Sequence, residues 1–87
     1  MMKKTIIITG AGSGIGAATA RAFLDDGYHV GLIGRRAKVL EVAAGGHKNA
    51  LVLPCDVAVP EDVEKAFTIA MAAWGRLDTL FNNAGIG

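Results

Sequence analysis

The sequence predicts an α/β fold in which one parallel sheet of four strands carries helices on both of its faces. Two observations predict it. Short apolar runs rich in β-branched residues alternate with longer segments of helical periodicity along all 87 residues, and glycines close most of these segments. Because strand–helix–strand units join parallel strands through right-handed crossovers, the order β-α-β-α-β-α-β forms the first half of a doubly wound sheet plus one strand.

Four strands are predicted where apolar residues run without alternation, as in a sheet that is buried on both faces: residues 4–9, 28–33, 50–53 and 77–81. Three helices are predicted between them, over residues 14–26, 36–44 and 60–74. Gly27, Gly45 and Gly75 end the helices, and Pro60 with the neighbouring Glu61 is typical of a helix start.

Apolar residues at helical spacing predict which face of each helix packs on the sheet. In the first helix they are Ile15, Ala18, Ala22 and Phe23; in the second Val39, Leu40 and Ala43; in the third Val63, Ala66, Phe67, Ala70, Met71 and Trp74.

Composition restricts the class of protein. Hydrophobic residues make up 52% and charged residues 20%, so the chain is globular, and 87 residues form one domain at most. The net charge of +1 favours neither nucleic acid nor an anionic membrane, and no apolar run is long enough to span a bilayer. The single Cys55 fits a reducing compartment. Glycines between positions 10 and 16 interrupt the apolar N-terminal run and argue against a secretory signal, so we expect a cytoplasmic protein.

A glycine-rich turn over residues 9–16 joins the first strand to the first helix. Glycine allows a sharp turn with positive φ and lets the backbone approach a pyrophosphate, while the unpaired N–H groups of the helix start face the anion. A turn without any ligand is the alternative. No Lys-Ser or Lys-Thr follows the glycines, which excludes the phosphate loop of nucleoside triphosphatases.

Two known spacings of glycines fit this turn. Gly12, Gly14 and Ala17 fit Gly-x-Gly-x-x-Gly/Ala, the general dinucleotide pattern, whereas Gly10, Gly14 and Gly16 fit Thr-Gly-x-x-x-Gly-x-Gly. The two patterns cannot both describe one turn, and the motifs further along the chain favour the second.

The second strand ends in Gly34-Arg35-Arg36, about twenty residues beyond the glycine turn, where a dinucleotide site meets the adenosine ribose. An acid there would accept a hydrogen bond from a free 2′-hydroxyl, but none is present. Gly34 leaves room, and Arg35 and Arg36 are suited to a dianionic 2′-phosphate through charge-assisted hydrogen bonds. A solvated arginine pair at the start of a surface helix is the alternative.

Cys55-Asp56-Val57 follows the third strand. An aspartate at the carboxyl end of a strand either accepts a hydrogen bond from an adenine amino group or caps the next turn. Cys55 is interpreted as a small packed residue, because no histidine or cation pattern activates its thiol.

Asn82-Asn83-Ala84-Gly85 closes the fourth strand, where the paired asparagines are able to tie adjacent strand ends together. This tetrapeptide, the Thr-Gly-x-x-x-Gly-x-Gly turn and the aspartate between them resemble, in this order, the short-chain dehydrogenase/reductase family. The resemblance implies a Rossmann-like fold, of which residues 1–87 are the N-terminal half, and an oxidoreductase of alcohol or carbonyl substrates. It also implies cofactor contacts at Gly10, Ser13, Gly14, Ile15, Gly16, Arg35, Arg36, Asp56, Val57, Asn83, Ala84 and Gly85, with NADP(H) preferred and NAD(H) possible.

The catalytic groups of that family are missing from these residues. Its enzymes use a Tyr, a Lys four positions later and a Ser, and Tyr28, the single tyrosine here, is followed by Leu32 at that spacing. We therefore expect no catalytic residue in this chain, no turnover from it alone, and self-association through an unpaired fourth strand. A non-catalytic nucleotide-binding module acting through a partner is the second hypothesis. A methyltransferase is disfavoured, because Thr9 and Gly34 stand where its acids would.

Overall fold

The computed structural model describes residues 4–12 and 14–83. Strand and helix alternate through seven elements, β1 (Thr5–Thr9), α1 (Gly14–Asp25), β2 (His29–Gly34), α2 (Ala37–Ala44), β3 (Ala50–Pro54), α3 (Pro60–Trp74) and β4 (Thr79–Phe81). Every predicted element is present in the predicted order, with its ends displaced by two residues at most. The second helix begins one residue later than predicted, because Arg36 is extended and serves as its N-cap.

The four strands form one parallel sheet in the order β3-β2-β1-β4. β1 is therefore central, with Ile7 opposite Gly31 of β2 on one side and opposite Leu80 of β4 on the other. The chain crosses to the far edge of the sheet between β3 and β4. Because all strand pairs are parallel, the carboxyl ends of the four strands lie at one edge of the sheet. The predicted α/β class is confirmed.

The sheet is covered on both faces, which explains why its central strands read as continuous apolar runs. On one face, Ile6 and Ile8 belong to a buried cluster with Leu24 of α1 and Leu40 of α2. On the other face, Ile7 packs in a second cluster to which α3 contributes two alanines, Ala66 and Ala70.

The predicted inner face of α1 was wrong at three of its four residues. Ile15 is 68% exposed, and Ala18 and Ala22 also face outward, whereas the buried residues are Gly16, Ala20 and Leu24. The prediction holds at Phe23, which is partly buried and packs against the core. Glycine and alanine occupy every side of this helix, so hydrophobic spacing could not fix which side faces the sheet. The close approach described below for Gly16 fixes it instead.

On α3 the predicted stripe holds except at Met71, which is 47% exposed. Ala66 and Ala70 are buried at its centre, and Phe67 and Trp74 pack against them. Met71 lies one position, about 100° around the helix, beyond Ala70, so its side chain falls on the solvent side of the stripe.

β4 is a short edge strand. Its three residues pair with β1, and no other described strand pairs with its second side. Leu80 is 52% exposed there. Within residues 4–12 and 14–83, no helix is long and apolar enough to cross a membrane.

Candidate functional site

The glycine turn lies at the carboxyl end of the central strand. Gly10 and Gly14 have φ angles of 63° and 54°, in the left-handed region that favours glycine. Gly16 is glycine for a different reason, because a Cβ there would collide with the carbonyl oxygen of Gly10 and lie 2.9 Å from the Asn83 Nδ2. A Cβ at Gly12 would meet only the side chain of Val39 closely. Three glycines are thus required at positions 10, 14 and 16, which favours the second of the two spacings.

Gly14 begins α1 and presents an open surface, since no described atom other than those of its chain neighbours and of the nearby α1 backbone lies within 4 Å of the position that its Cβ would take. A helix start with free N–H groups and a positive φ glycine is a favourable place for an anion to approach the backbone. Ser13, which the sequence also assigns to this turn, lies outside the described residues. Ile15 lies on the exposed side of α1, next to the turn.

Side chains at the end of β4 hold the turn in place. The Thr9 hydroxyl donates a hydrogen bond to the Asn82 Oδ1 at 3.0 Å and accepts one from the Asn83 backbone N–H at 2.9 Å. The Asn83 Nδ2 donates to the Gly10 carbonyl oxygen at 3.5 Å. The predicted tie between strand ends is therefore present, and Asn83 acts on the turn itself. Ala84 and Gly85 lie outside the described residues.

A groove runs from the glycine turn across the ends of β2 and β3. It consists of two adjoining cavities of about 390 and 350 Å³, which share Gly10, Gly34 and Arg35. The first is also lined by Gly12, Arg36, Val39 and Leu40, and the second by Cys55, Asp56, Val57 and Ala58. Five of the twelve predicted site residues line this groove, although they come from three separate segments of the chain: Gly10, Arg35, Arg36, Asp56 and Val57.

Arg35 and Arg36 give the first cavity its charge. Both side chains are exposed, and neither guanidinium forms a hydrogen bond or ion pair with another described residue. An arginine without a partner retains its five N–H donors for a ligand. Gly34 ends β2 just before the two arginines, and this cavity has two cationic groups and no acid among the described residues that line it.

Asp56 performs the capping role in the second cavity. Its Oδ1 accepts a hydrogen bond from the Ala58 N–H at 2.9 Å, and its own N–H donates to the Asp62 Oδ2 at 3.3 Å. Val57 is exposed beside it. Burial raises the pKa of the neighbouring Cys55 thiol, and the carboxylates of Asp62 and Asp56 raise it further. Cys55 is therefore a packed thiol, as the sequence indicated, and a poor nucleophile at neutral pH.

Sequence reasoning missed part of this lining. Val39 and Leu40 were assigned only to the inner face of α2, yet they form the floor of the first cavity together with Gly12. An apolar residue on the inner face of a helix is ordinary core in most folds, so no pattern in the sequence separates these two from the rest. Within the described residues, no group of three His, Cys, Asp or Glu side chains is arranged to hold a metal ion.

An open parallel sheet with helices on both faces, a glycine turn from β1 into α1 and a groove over the strand ends define a Rossmann-like domain. Comparison with known proteins gives the family. The family model for the short chain dehydrogenases matches residues 4–87, and the chain belongs to this family of oxidoreductases.

Several relatives are similar over nearly the whole chain. The 2,5-dichloro-2,5-cyclohexadiene-1,4-diol dehydrogenase of Sphingobium indicum is 46% identical over 85 residues, which are 95% of this chain and 34% of that enzyme. Among solved structures, a metagenomic short-chain oxidoreductase in complex with NADP superposes with a TM-score of 0.87 at 35% identity, over 99% of this chain and 41% of that one.

A second solved structure binds the other dinucleotide. The 3-ketoacyl-(acyl-carrier-protein) reductase of Brucella melitensis, complexed with NADH, has a TM-score of 0.86 at 34% identity, over 91% of this chain and 33% of that one. The chain spans about a third of the length of the curated relatives that it matches.

Proposed function

We propose that residues 1–87 are the cofactor-binding part of an NADP(H)-dependent oxidoreductase acting on an alcohol or carbonyl substrate. The observation that carries the proposal is the first cavity, in which the exposed guanidinium groups of Arg35 and Arg36 have no partner among the described residues and stand beside Gly34, with no acid in the described lining. A dianionic 2′-phosphate would be held there by charge-assisted hydrogen bonds, which neutral ribose hydroxyls form less strongly. NAD(H) remains the weaker ligand of the same groove.

The other residues would bind and orient the rest of the dinucleotide. Gly10, Gly14 and Gly16, with Ser13 and Ile15, would surround the pyrophosphate at the start of α1. Asp56 and Val57 would contact the adenine from the second cavity, while Asn83, Ala84 and Gly85 would contact a ribose. When bound, the cofactor supplies the hydride chemistry, and these residues position it.

Proton transfer to a substrate would need groups that these residues lack. Tyr28 precedes β2 at the opposite end of the sheet from the groove, and its ring packs edge to face on Phe23 with centroids 4.7 Å apart. It is therefore a core residue. We infer that the 87-residue chain by itself binds the dinucleotide without turning over a substrate.

The two similar structures with bound dinucleotide support a cofactor role for the groove. Because one contains NADP and the other NADH, they do not favour either dinucleotide, and the proposed preference for NADP(H) rests on the residues of this chain. A cytoplasmic location belongs to the same proposal, since the one cysteine of the chain is a buried free thiol.

Titration of NADPH and NADH tests the preference. We expect NADPH to bind more tightly by about 1–3 kcal/mol, the range for hydrogen bonds to charged groups, which is roughly 5- to 150-fold in Kd. Arg35→Ala should remove most of this difference. Lys38→Ala is the matched control, because it deletes one exposed cation of α2 that does not line the groove. Equal affinities in the unchanged chain, or a preference that survives in Arg35→Ala, would contradict the proposal.

A nucleotide-binding module that acts through a partner is the second candidate. The exposed second side of β4, with Leu80 half in solvent, favours it, because an unpaired strand edge is a template for pairing with another chain. We propose self-association along this edge. Sedimentation velocity checks it, and a monomer at micromolar concentration is the contrary result.

A further inference from the structure

Leu40 fills the space beside the end of β2. Its side chain is completely buried, and its Cδ2, Cγ and Cδ1 lie 3.1, 3.7 and 3.9 Å from the position that a Cβ on Gly34 would take. A Cβ at 3.1 Å is closer than ordinary van der Waals contact, so either Leu40 or the strand end would have to move. Gly34 is not among the glycines with positive φ, so its backbone conformation suits any residue. Any strain from a side chain at position 34 would therefore come from its contact with Leu40 and not from the backbone.

The same side chain also reaches the glycine turn. The Leu40 Cδ2 lies 3.8 Å from the Cβ position of Gly12, and Leu40 belongs to the buried cluster between the sheet and the helices α1 and α2. Leu40 thus lies below the first cavity, between the turn that would hold the pyrophosphate and the strand end that would meet the ribose. Because its side chain is completely buried in this cluster, it has little freedom to retreat from a new neighbour except towards the cavity that it lines.

We propose that Leu40 is a specificity-determining residue of the cofactor groove. An acid at the end of the second strand is what selects a free 2′-hydroxyl over a 2′-phosphate. The Cβ of such an acid at position 34 would press on the Leu40 Cδ2, so Leu40 disfavours a side chain there while the cationic groups of Arg35 and Arg36 dominate the cavity. This inference rests on the proposed function, since it concerns the choice between two dinucleotides.

A double-mutant cycle tests the inference. Gly34→Asp alone should weaken NADPH binding about tenfold or more without improving NADH binding, because the aspartate cannot take its place against Leu40. Gly34→Asp with Leu40→Val should bind NADH about tenfold more tightly than Gly34→Asp does, because valine has no δ carbons. Leu24→Val is the matched control, as it makes the same change in the same buried cluster, away from the groove.

Melting temperatures give a readout that needs no ligand. Gly34→Ala should lower the melting temperature, and Leu40→Val should reduce this loss while Leu24→Val should not. The inference is overturned if Gly34→Asp alone gains NADH affinity at an unchanged melting temperature, or if Leu24→Val rescues as well as Leu40→Val. If the unchanged chain binds neither dinucleotide, the proposed function is wrong, and the specificity role of Leu40 is then wrong as well. A rescue confined to Leu40→Val would then establish only the packing contact.

Discussion

Replacement of Gly16 by alanine should destabilise the protein, although the residue is in a helix. In an open helix the change from glycine to alanine gains about 1 kcal/mol, because alanine has the higher helix propensity. Here the new Cβ would point at the carbonyl group of Gly10, with the carbonyl carbon 2.8 Å away and the oxygen closer still. Both are backbone atoms at the end of the central strand, so no side chain can turn aside.

The size of the effect follows from the movement that is needed. A Cβ requires at least about 3.4 Å to a neighbouring carbon and a little less to an oxygen, and the Gly10 oxygen is the closer of the two atoms. α1 must therefore retreat from β1 by about an ångström, which opens the packing of Ala20 and Leu24. Overpacking of this kind costs about 1–3 kcal/mol and exceeds the helix gain at the upper part of that range. We expect a net loss of about 1–2 kcal/mol, or roughly 4–16 °C in the melting temperature of a domain of this size.

Urea unfolding followed by circular dichroism measures this loss, and calorimetric titration of NADPH should show weaker binding, because the displaced helix start no longer faces the turn. Gly46→Ala is the control, since Gly46 has a φ of 72° but open space around its Cβ position and lies outside the groove. It should lose stability through backbone strain alone and keep its affinity. A Gly16→Ala protein as stable as the unchanged chain would refute the steric reasoning.

Three further outcomes are expected. Gly14→Val should abolish dinucleotide binding in calorimetry, whereas Gly27→Val, at a second open glycine with positive φ, should leave it intact; equal loss in both would mean that the turn is not the phosphate site. Hydrogen bonds from Arg76 and from the Thr5 N–H hold the pKa of Asp78 below its ordinary value. Its contribution to stability is therefore complete above about pH 4 and lost as the pH falls through the folded pKa, and Asp78→Asn should flatten this part of the stability–pH profile. The 87-residue chain should oxidise no NADPH above background with a panel of carbonyl compounds, and an absorbance assay at the nicotinamide band that detects turnover would contradict the inference about missing catalytic groups.

The order and type of every element could be predicted from the sequence, because strands that are buried on both faces leave an unmistakable apolar run. The three isoleucines of β1 are all buried, Ile6 and Ile8 towards one helical layer and Ile7 towards the other. Helix ends were equally well marked, since Gly45 and Gly75 adopt the left-handed conformation that ends α2 and α3.

The rotation of α1 and the floor of the groove could not be predicted. Half of the residues of α1 are glycine or alanine, so the contrast between its sides is weak, and Gly16 faces inward because it approaches a carbonyl group fixed at the end of the central strand. Leu40 likewise has the sequence pattern of an ordinary core residue. The contact between Leu40 and Gly34 depends on the angle at which α2 crosses the end of β2, and tertiary packing sets that angle.

The position of β1 between β2 and β4 also has a consequence for the order of folding during synthesis. β1 is made first, yet its partners on the β4 side lie more than seventy residues further along the chain, as in the hydrogen bonds from Thr9 to Asn82 and from Asn83 to Thr9. The helical layer of α1 and α2 is able to form early through contacts close in sequence. The glycine turn acquires the hydrogen bonds with Asn82 and Asn83 only after these residues have left the ribosome, so we expect its closure to be a late, long-range step of high contact order.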